Sequence, residues 1–111
     1  MLYSRILAAG RALPARYVTN DELAAELARD GIDTSDEWIR TRTGIEGRYI
    51  AEEGLTTLEL ARRASVEALH RAGVAADTVD LIVVATTTPD MVFPSTACRL
   101  QAALGAAGCA A

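Results

Sequence analysis

Apolar positions along this chain follow two different periods. Between Thr57 and Ala72, the residues Leu58, Ala61, Ala64, Ser65, Ala68, Leu69 and Ala72 recur at helical spacing and trace one stripe. Thr56 followed by Glu59 reads as a capping box opening this helix, and Gly73 reads as its terminator. The small residues on the stripe allow a close approach to a sheet. Leu81-Ile82-Val83-Val84, inside Asp80 to Thr87, runs apolar without alternation. That pattern predicts a central strand buried on both faces, as in a parallel sheet covered by helices. A helix is then expected from near Pro94 and Ser95 to Gly105, with Ala97, Leu100 and Leu104 inward and Pro94 in its first turn. Ala107 to Ala111 reads as the opening of another strand. Helix, strand, helix, strand in succession marks an α/β unit.

The first half is patterned in shorter pieces. Leu2 to Ala9 reads as a strand, partly exposed because of Ser4 and Arg5, with Gly10 and Pro14 marking its exit. Thr19 and Glu22 form a second capping box, for a helix through about Arg29 with Leu23, Ala24 and Leu27 on one face and Gly31 as its stop. Thr34 and Glu37 suggest a third box, before a short helix from about Asp36 to Thr43 that Gly44 ends. On it Trp38 and Arg42 are four residues apart and meet on one face, while Ile39 and Thr43 can pack inward. Arg48 to Ala51 reads as a short edge strand. No internal repeat, linker or low-complexity segment interrupts the 111 residues, so one domain is expected.

Composition narrows the function classes. Half of the residues are hydrophobic, enough for a core. The net charge of −4 argues against a nucleic-acid or anionic-membrane surface. All 11 basic residues are Arg, which a G+C-rich bacterial codon bias explains more simply than function does. The N-terminus lacks the pattern of a signal peptide, and no apolar stretch approaches the ~20 residues of a membrane span. A cytoplasmic protein is the expectation. Cys98 and Cys109 make no disulfide framework, and His70 stands alone, so no metal site is expected.

Chemistry concentrates between Thr34 and Ile45, which hold the only Trp, two Arg and three Thr within twelve residues. A planar indole beside a guanidinium suits a nucleotide, the ring stacking on a base and the Arg forking a phosphate. By residue types alone, a plainer reading has the better claim: a core Trp with solvated arginines. For Arg48 a solvated charge is likewise preferred over a role in phosphate binding. A reactive thiol needs a helix N-terminus or a nearby base. Cys98, inside a helix and past its first residues, reads instead as a small buried hydrophobe. His70 reads as a surface residue.

The literal string T-S-D-E-W-I-x-T-R-T-G-I, from Thr34 to Ile45, resembles a signature of β-ketoacyl-acyl-carrier-protein synthase III, a thiolase-fold enzyme that begins bacterial fatty-acid synthesis. Leu13-Pro14 with Thr19-Asn20 and Leu23 resembles that family's opening, Ala28 to Ile32 a loop extension of some members, and V-A-T-x-T-P-D-x-x-F-P-S (Val84 to Ser95) another of its patterns. The resemblance implies the N-terminal part of a thiolase-like fold, layered α-β-α-β-α with a mixed sheet and covering helices. It implies that Trp38 stacks on the adenine of coenzyme A, Arg42 pairs the nucleotide phosphates and Thr34 hydrogen-bonds the base. Phe93 would reach across a homodimer interface to wall the partner's acyl pocket. Acyl-CoA is then a substrate and malonyl-acyl-carrier protein a partner, with no cofactor, no nucleic acid and no membrane.

In that family the nucleophilic Cys lies in a later A-C-[SA]-G turn, and its His and Asn lie further on. Residues 105–111 resemble the entry to the preceding strand, which makes Cys109 structural. No catalytic residue is therefore expected within residues 1–111, which read as the first third of a family subunit, cut before the nucleophile. The implied reaction is a decarboxylative Claisen condensation. Two other readings stand beside it: a related acyltransferase or condensing enzyme of secondary metabolism, and a non-catalytic CoA-binding fragment.

Overall fold

The computed structural model describes residues 3–111. They form two compact units: Leu13–Gly54, and the N-terminal segment up to Ala12 with Leu55–Ala111.

In Leu13–Gly54, strand β1 (Arg16–Thr19) runs antiparallel to β2 (Gly47–Ile50), with Arg16 opposite Ile50 and Thr19 opposite Gly47. The edge strand is thus where the pattern placed it, shifted by one residue. Its partner β1 was not anticipated, although Tyr17, Val18 and Thr19 are all good strand formers. Tyr17 and Tyr49 face each other across the ladder, edge to face at 5.1 Å, and Val18 is 1% exposed. Gly47 is needed because a Cβ there would fall into the Tyr17 ring.

Helix α1 (Asn20–Ala28) starts on the expected capping box. The Thr19 hydroxyl accepts the Glu22 amide, and the Glu22 carboxylate accepts the Thr19 amide at 2.8 Å. That last bond, with the Thr19 hydroxyl, holds the Glu22 carboxyl below its ordinary range. Helix α2 (Asp36–Thr43) has the expected span and ends on Gly44 at φ 71°. Its cap differs from expectation. Ser35, extended at φ −147°, accepts the Trp38 amide at 3.1 Å, so Thr34 lies one residue outside the cap. The backbone turns helical only after Ser35, and an N-cap hydroxyl reaches the amide three residues on. Thr43 remains exposed and bonds the Ile39 carbonyl with its hydroxyl; only Ile39 is buried.

In the second unit, helix α3 (Thr57–Ala72) has the expected bounds, capped by Thr56 and by Gly73 at φ 65°. Only half of its box forms: the Thr56 hydroxyl takes the Glu59 amide, but the Glu59 carboxylate turns to Arg62 and Arg63, both at 2.8 Å. Those two guanidiniums hold the Glu59 carboxyl down at about 2. The small-residue stripe is used for a close approach, but by a single backbone segment. A Cβ on Gly10 would collide with the Ala64 carbonyl and the Ala68 amide. Arg11 and Arg71 fasten the same segment, Arg11 donating its amide to Glu67 at 2.8 Å and Arg71 reaching the Ala9 carbonyl.

Helix α4 (Thr96–Leu104) packs against α3, with Leu100 and Thr96 buried. Ser95 is its N-cap, which leaves Pro94 just outside the first turn. Two expected strands do not form. Leu2 lies outside the described residues, and Tyr3 to Ala9 run without strand structure, with Ile6 exposed. Leu81 to Val84 has one parallel bridge, Leu81 to Ala110, and no second neighbour among the described residues. Val83 is 79% exposed there, so burial on both faces is not observed. A buried strand needs partners on both edges and layers on both faces, and the described residues supply one short partner. The strand expected from Ala107 to Ala111 is likewise reduced to that bridge: Ala107 to Cys109 turn, and only Ala110 pairs.

Candidate functional site

Helix α2 presents the site. Its first turn carries Asp36 and Glu37 and its last turn Arg40 and Arg42, each sign placed where the helix dipole favours it. The four-residue spacing brings the Arg42 guanidinium carbon 4.4 Å from the Trp38 ring centroid, a cation–π contact. Trp38 is 53% exposed, so the core reading of this residue does not hold. Arg40 is paired with Asp36 at 3.7 Å, whereas Arg42 has no carboxylate within ion-pairing distance among the described residues. The stacked guanidinium therefore keeps its charge available.

Two hollows meet at the indole. One, of about 530 Å³, is lined by the aliphatic Leu23, Leu27, Ile32, Ile39 and Ile45 together with Thr34, Trp38 and Arg48. The other, of about 270 Å³, is polar and lined by Ser35, Glu37, Trp38, Thr41 and Arg42. Thr34, Trp38 and Arg42 are thus brought together around one ring, with Thr34 on the apolar side and Arg42 on the polar side. An amphipathic planar group beside an anionic one is the chemistry this arrangement suits.

Behind α2 lies a buried polar network that the pattern of residues did not reveal. Asn20, 1% exposed, donates from its amide nitrogen to the Asp36 carboxylate at 2.8 Å and to the Ile45 carbonyl at 2.6 Å. Its amide oxygen accepts from Arg48 at 2.7 Å. Arg48 is therefore a half-buried structural cation, not a solvated one, and its guanidinium is engaged. Asn20 stood out only as part of the Thr19-Asn20 pair in the synthase III-like opening, which gave no hint of these partners.

The loop from Thr86 to Ser95 is the second candidate. It is pinned to the start of α3 by Asp90, whose carboxylate accepts the Thr57 amide at 2.7 Å and the Leu58 amide at 3.0 Å. The Thr57 hydroxyl donates to the Thr88 carbonyl at 2.9 Å, and Arg99 approaches Asp90 at 3.4 Å. The Leu58 amide above all, with the Thr57 amide and Arg99, holds the Asp90 carboxyl below its usual range. In space the Asp90 carboxylate is an anion on the orphan amides that open α3, a contact across more than thirty residues that no local signal marked. At the loop's far end Phe93 is 87% exposed and does not pack under its own loop.

The cysteines divide. Cys109 is buried, as expected of a structural residue, and its carbonyl accepts from Gln101 at 2.6 Å. Cys98 is exposed, against expectation. It sits in the first turn of α4, where Ser95 accepts its amide and donates to its sulfur at 3.2 Å. Thr96 and Leu100 are the buried face of α4, and two residues on from Thr96 the helix turns position 98 to the opposite side. His70 is exposed on α3. Among the described residues no acidic, His and Cys cluster could hold a metal ion, and no helix is long and apolar enough to cross a membrane.

This assembly of helices and paired segments is the N-terminal portion of a thiolase-type fold. No protein-family model matches the chain. Over all 111 residues it is 61% identical to the β-ketoacyl-[acyl-carrier-protein] synthase III of Bordetella petrii, of which it covers 34%. A solved 3-oxoacyl-[acyl-carrier-protein] synthase III from Aquifex aeolicus superposes at a TM-score of 0.81 with 46% identity, covering 94% of this chain and 32% of that one. The priming β-ketosynthase of the R1128 polyketide pathway superposes at 0.84 with 38% identity, covering 96% and 30%. The chain is thus similar along its whole length to the N-terminal third of these synthase III proteins, and it spans about a third of the length of the curated relatives it matches.

Proposed function

We propose that this chain is the coenzyme A-recognising part of an enzyme that performs the initiating condensation of fatty-acid synthesis. The observation that carries the reading is the Trp38–Arg42 pair on α2, in a sequence matched along its whole length by synthase III. Trp38 stacks on the adenine, Arg42 turns its unpaired charge to the nucleotide phosphates, and Thr34 bonds the base from the apolar side. The overall reaction moves a short acyl group from acyl-CoA to a cysteine thiolate, releasing CoA. Malonyl on the carrier protein then loses CO₂, and its carbanion attacks the thioester to give the 3-ketoacyl product. None of residues 1–111 is assigned the part of the cysteine, histidine or asparagine of that chemistry.

Acyl-CoA is a substrate in this scheme, and the enzyme needs no cofactor. Phe93, exposed on a loop that Asp90 anchors, reaches the partner subunit of a cytoplasmic homodimer and restricts its acyl pocket to short chains. Support for a polyketide-priming role comes from the superposition with the R1128 enzyme. The 61% identity to a β-ketoacyl-[acyl-carrier-protein] synthase III favours the first reading.

The test uses the full-length protein. Incubation with acetyl-CoA should add one acetyl group to the intact mass, and malonyl-acyl-carrier protein should then discharge it as a 3-ketoacyl product. Trp38→Ala should raise the KM for acetyl-CoA roughly ten- to hundredfold, the worth of one base–aromatic stack. An unaltered KM for acetyl-CoA would remove the stacking role.

A further inference from the structure

We infer that Asn20 is the positioning residue of the nucleotide-gripping helix, one buried amide that holds both ends of α2 and so sets which face Trp38 and Arg42 present. This rests on the reading that those two residues grip the nucleotide. Asp36 is the first residue of α2, and Ile45 follows its Gly44 cap. The Asn20 amide nitrogen donates to both, at 2.8 and 2.6 Å. Its oxygen accepts from Arg48 on β2, and its backbone N–H donates to the Glu46 carbonyl at 3.2 Å. The orientation of the amide is unambiguous. A carboxylate and a carbonyl only accept and a guanidinium only donates, so nitrogen must face Asp36 and Ile45.

Every polar atom of this side chain is thus bonded inside a site with almost no solvent access. Rotating or sliding α2 would strand a buried amide, and an unsatisfied buried polar group is what such networks penalise most. The penalty fixes the helix with Ile39 inward and the Trp38–Arg42 face outward. Asn20 touches neither the ring nor the guanidinium, so it acts through α2.

The experiment compares two thioesters in the full-length enzyme: acetyl-CoA, and acetyl-pantetheine, which lacks the nucleotide. Asn20→Ala should lower kcat/KM for acetyl-CoA by roughly tenfold, through KM, and leave acetyl-pantetheine within about twofold. An equal loss on both substrates would overturn the positioning role. Asn20→Asp places a carboxylate against Asp36 and should show the same selective loss. Adding Asp36→Asn returns a donor–acceptor pair between these positions and keeps the acceptor for Arg48, so part of the acetyl-CoA preference should return. No recovery would also overturn the proposal, and this pair decides the matter if the alanine variant fails to fold. Trp38→Ala, run in parallel, separates the two claims. If it harms both thioesters alike, the nucleotide reading fails; if it discriminates while the Asn20 variants do not, only the positioning role fails.

Discussion

The two units of the chain are held by different means. In Leu13–Gly54 the fixing contacts are polar and converge on one side chain: Asn20 links α1, both ends of α2 and Arg48. In the other unit the contacts join segments far apart in sequence. Gly10 lies against Ala64 and Ala68, Leu81 bridges Ala110, and Asp90 caps Thr57 and Leu58. The first unit leaves the large apolar side chains at its surface about half exposed, Trp38 the most at 53%. The second leaves long apolar side chains uncovered along Leu81, Val83 and Phe93. The difference teaches where precision is needed. The outward face of one short helix depends on its angle, which directional bonds can set, whereas a sheet layer depends on area and needs neighbours.

Four substitutions probe this contrast in the full-length protein. The largest effect is expected at Gly10. Gly10→Val must push the segment off α3, because the obstacle is helix backbone that cannot give way. Overpacking of this kind costs about 3 kcal/mol or more, and the drop should appear in the thermal unfolding midpoint. A midpoint near that of the parent protein would mean that the close approach contributes little.

A smaller change is expected at the start of α2. Ser35→Ala should cost about 1 kcal/mol, the worth of an N-cap hydroxyl, while Thr34→Ala should leave unfolding nearly unaltered and act on thioester binding instead. Equal destabilisation by both would restore the expected Thr34 cap. Together with the Asn20 variants, this pair tells whether α2 is set by its own cap or from behind.

The smallest effect is electrostatic. Glu59, held near 2 by Arg62 and Arg63, and Asp90, lowered by the amides of Leu58 and Thr57, both bind protons less readily when folded. Their contribution is therefore full above the ordinary carboxylate range and is lost as pH falls through the folded values. For Glu59 the window runs from about 4.5 down to about 2. Glu59→Gln should flatten the acid side of the stability profile slightly, and added salt should shrink the difference because these groups remain partly open to solvent. A profile identical to the parent's at low salt would show that the pair contributes nothing.

Most of the helical structure was legible in the residues. The bounds of α3, the Thr19–Glu22 box, the Gly44, Gly73 and Gly105 stops and the meeting of Trp38 with Arg42 all follow from contacts within four residues. Such short-range geometry is the same wherever the helix sits, so composition and spacing suffice to specify it. The long literal match to synthase III motifs likewise lay in the sequence, and similarity along the whole chain extends it. What only the tertiary structure decided were the contacts between distant residues. β1 became a strand because Gly47–Ile50 lay beside it, and Leu81–Val84 gained one bridge where its apolar run predicted full burial. Arg48 turned from solvent to Asn20, and Cys98 faced outward because α4 packs through Thr96 and Leu100. A side chain's partner across tens of residues depends on which surfaces meet, and residue type alone does not encode that choice.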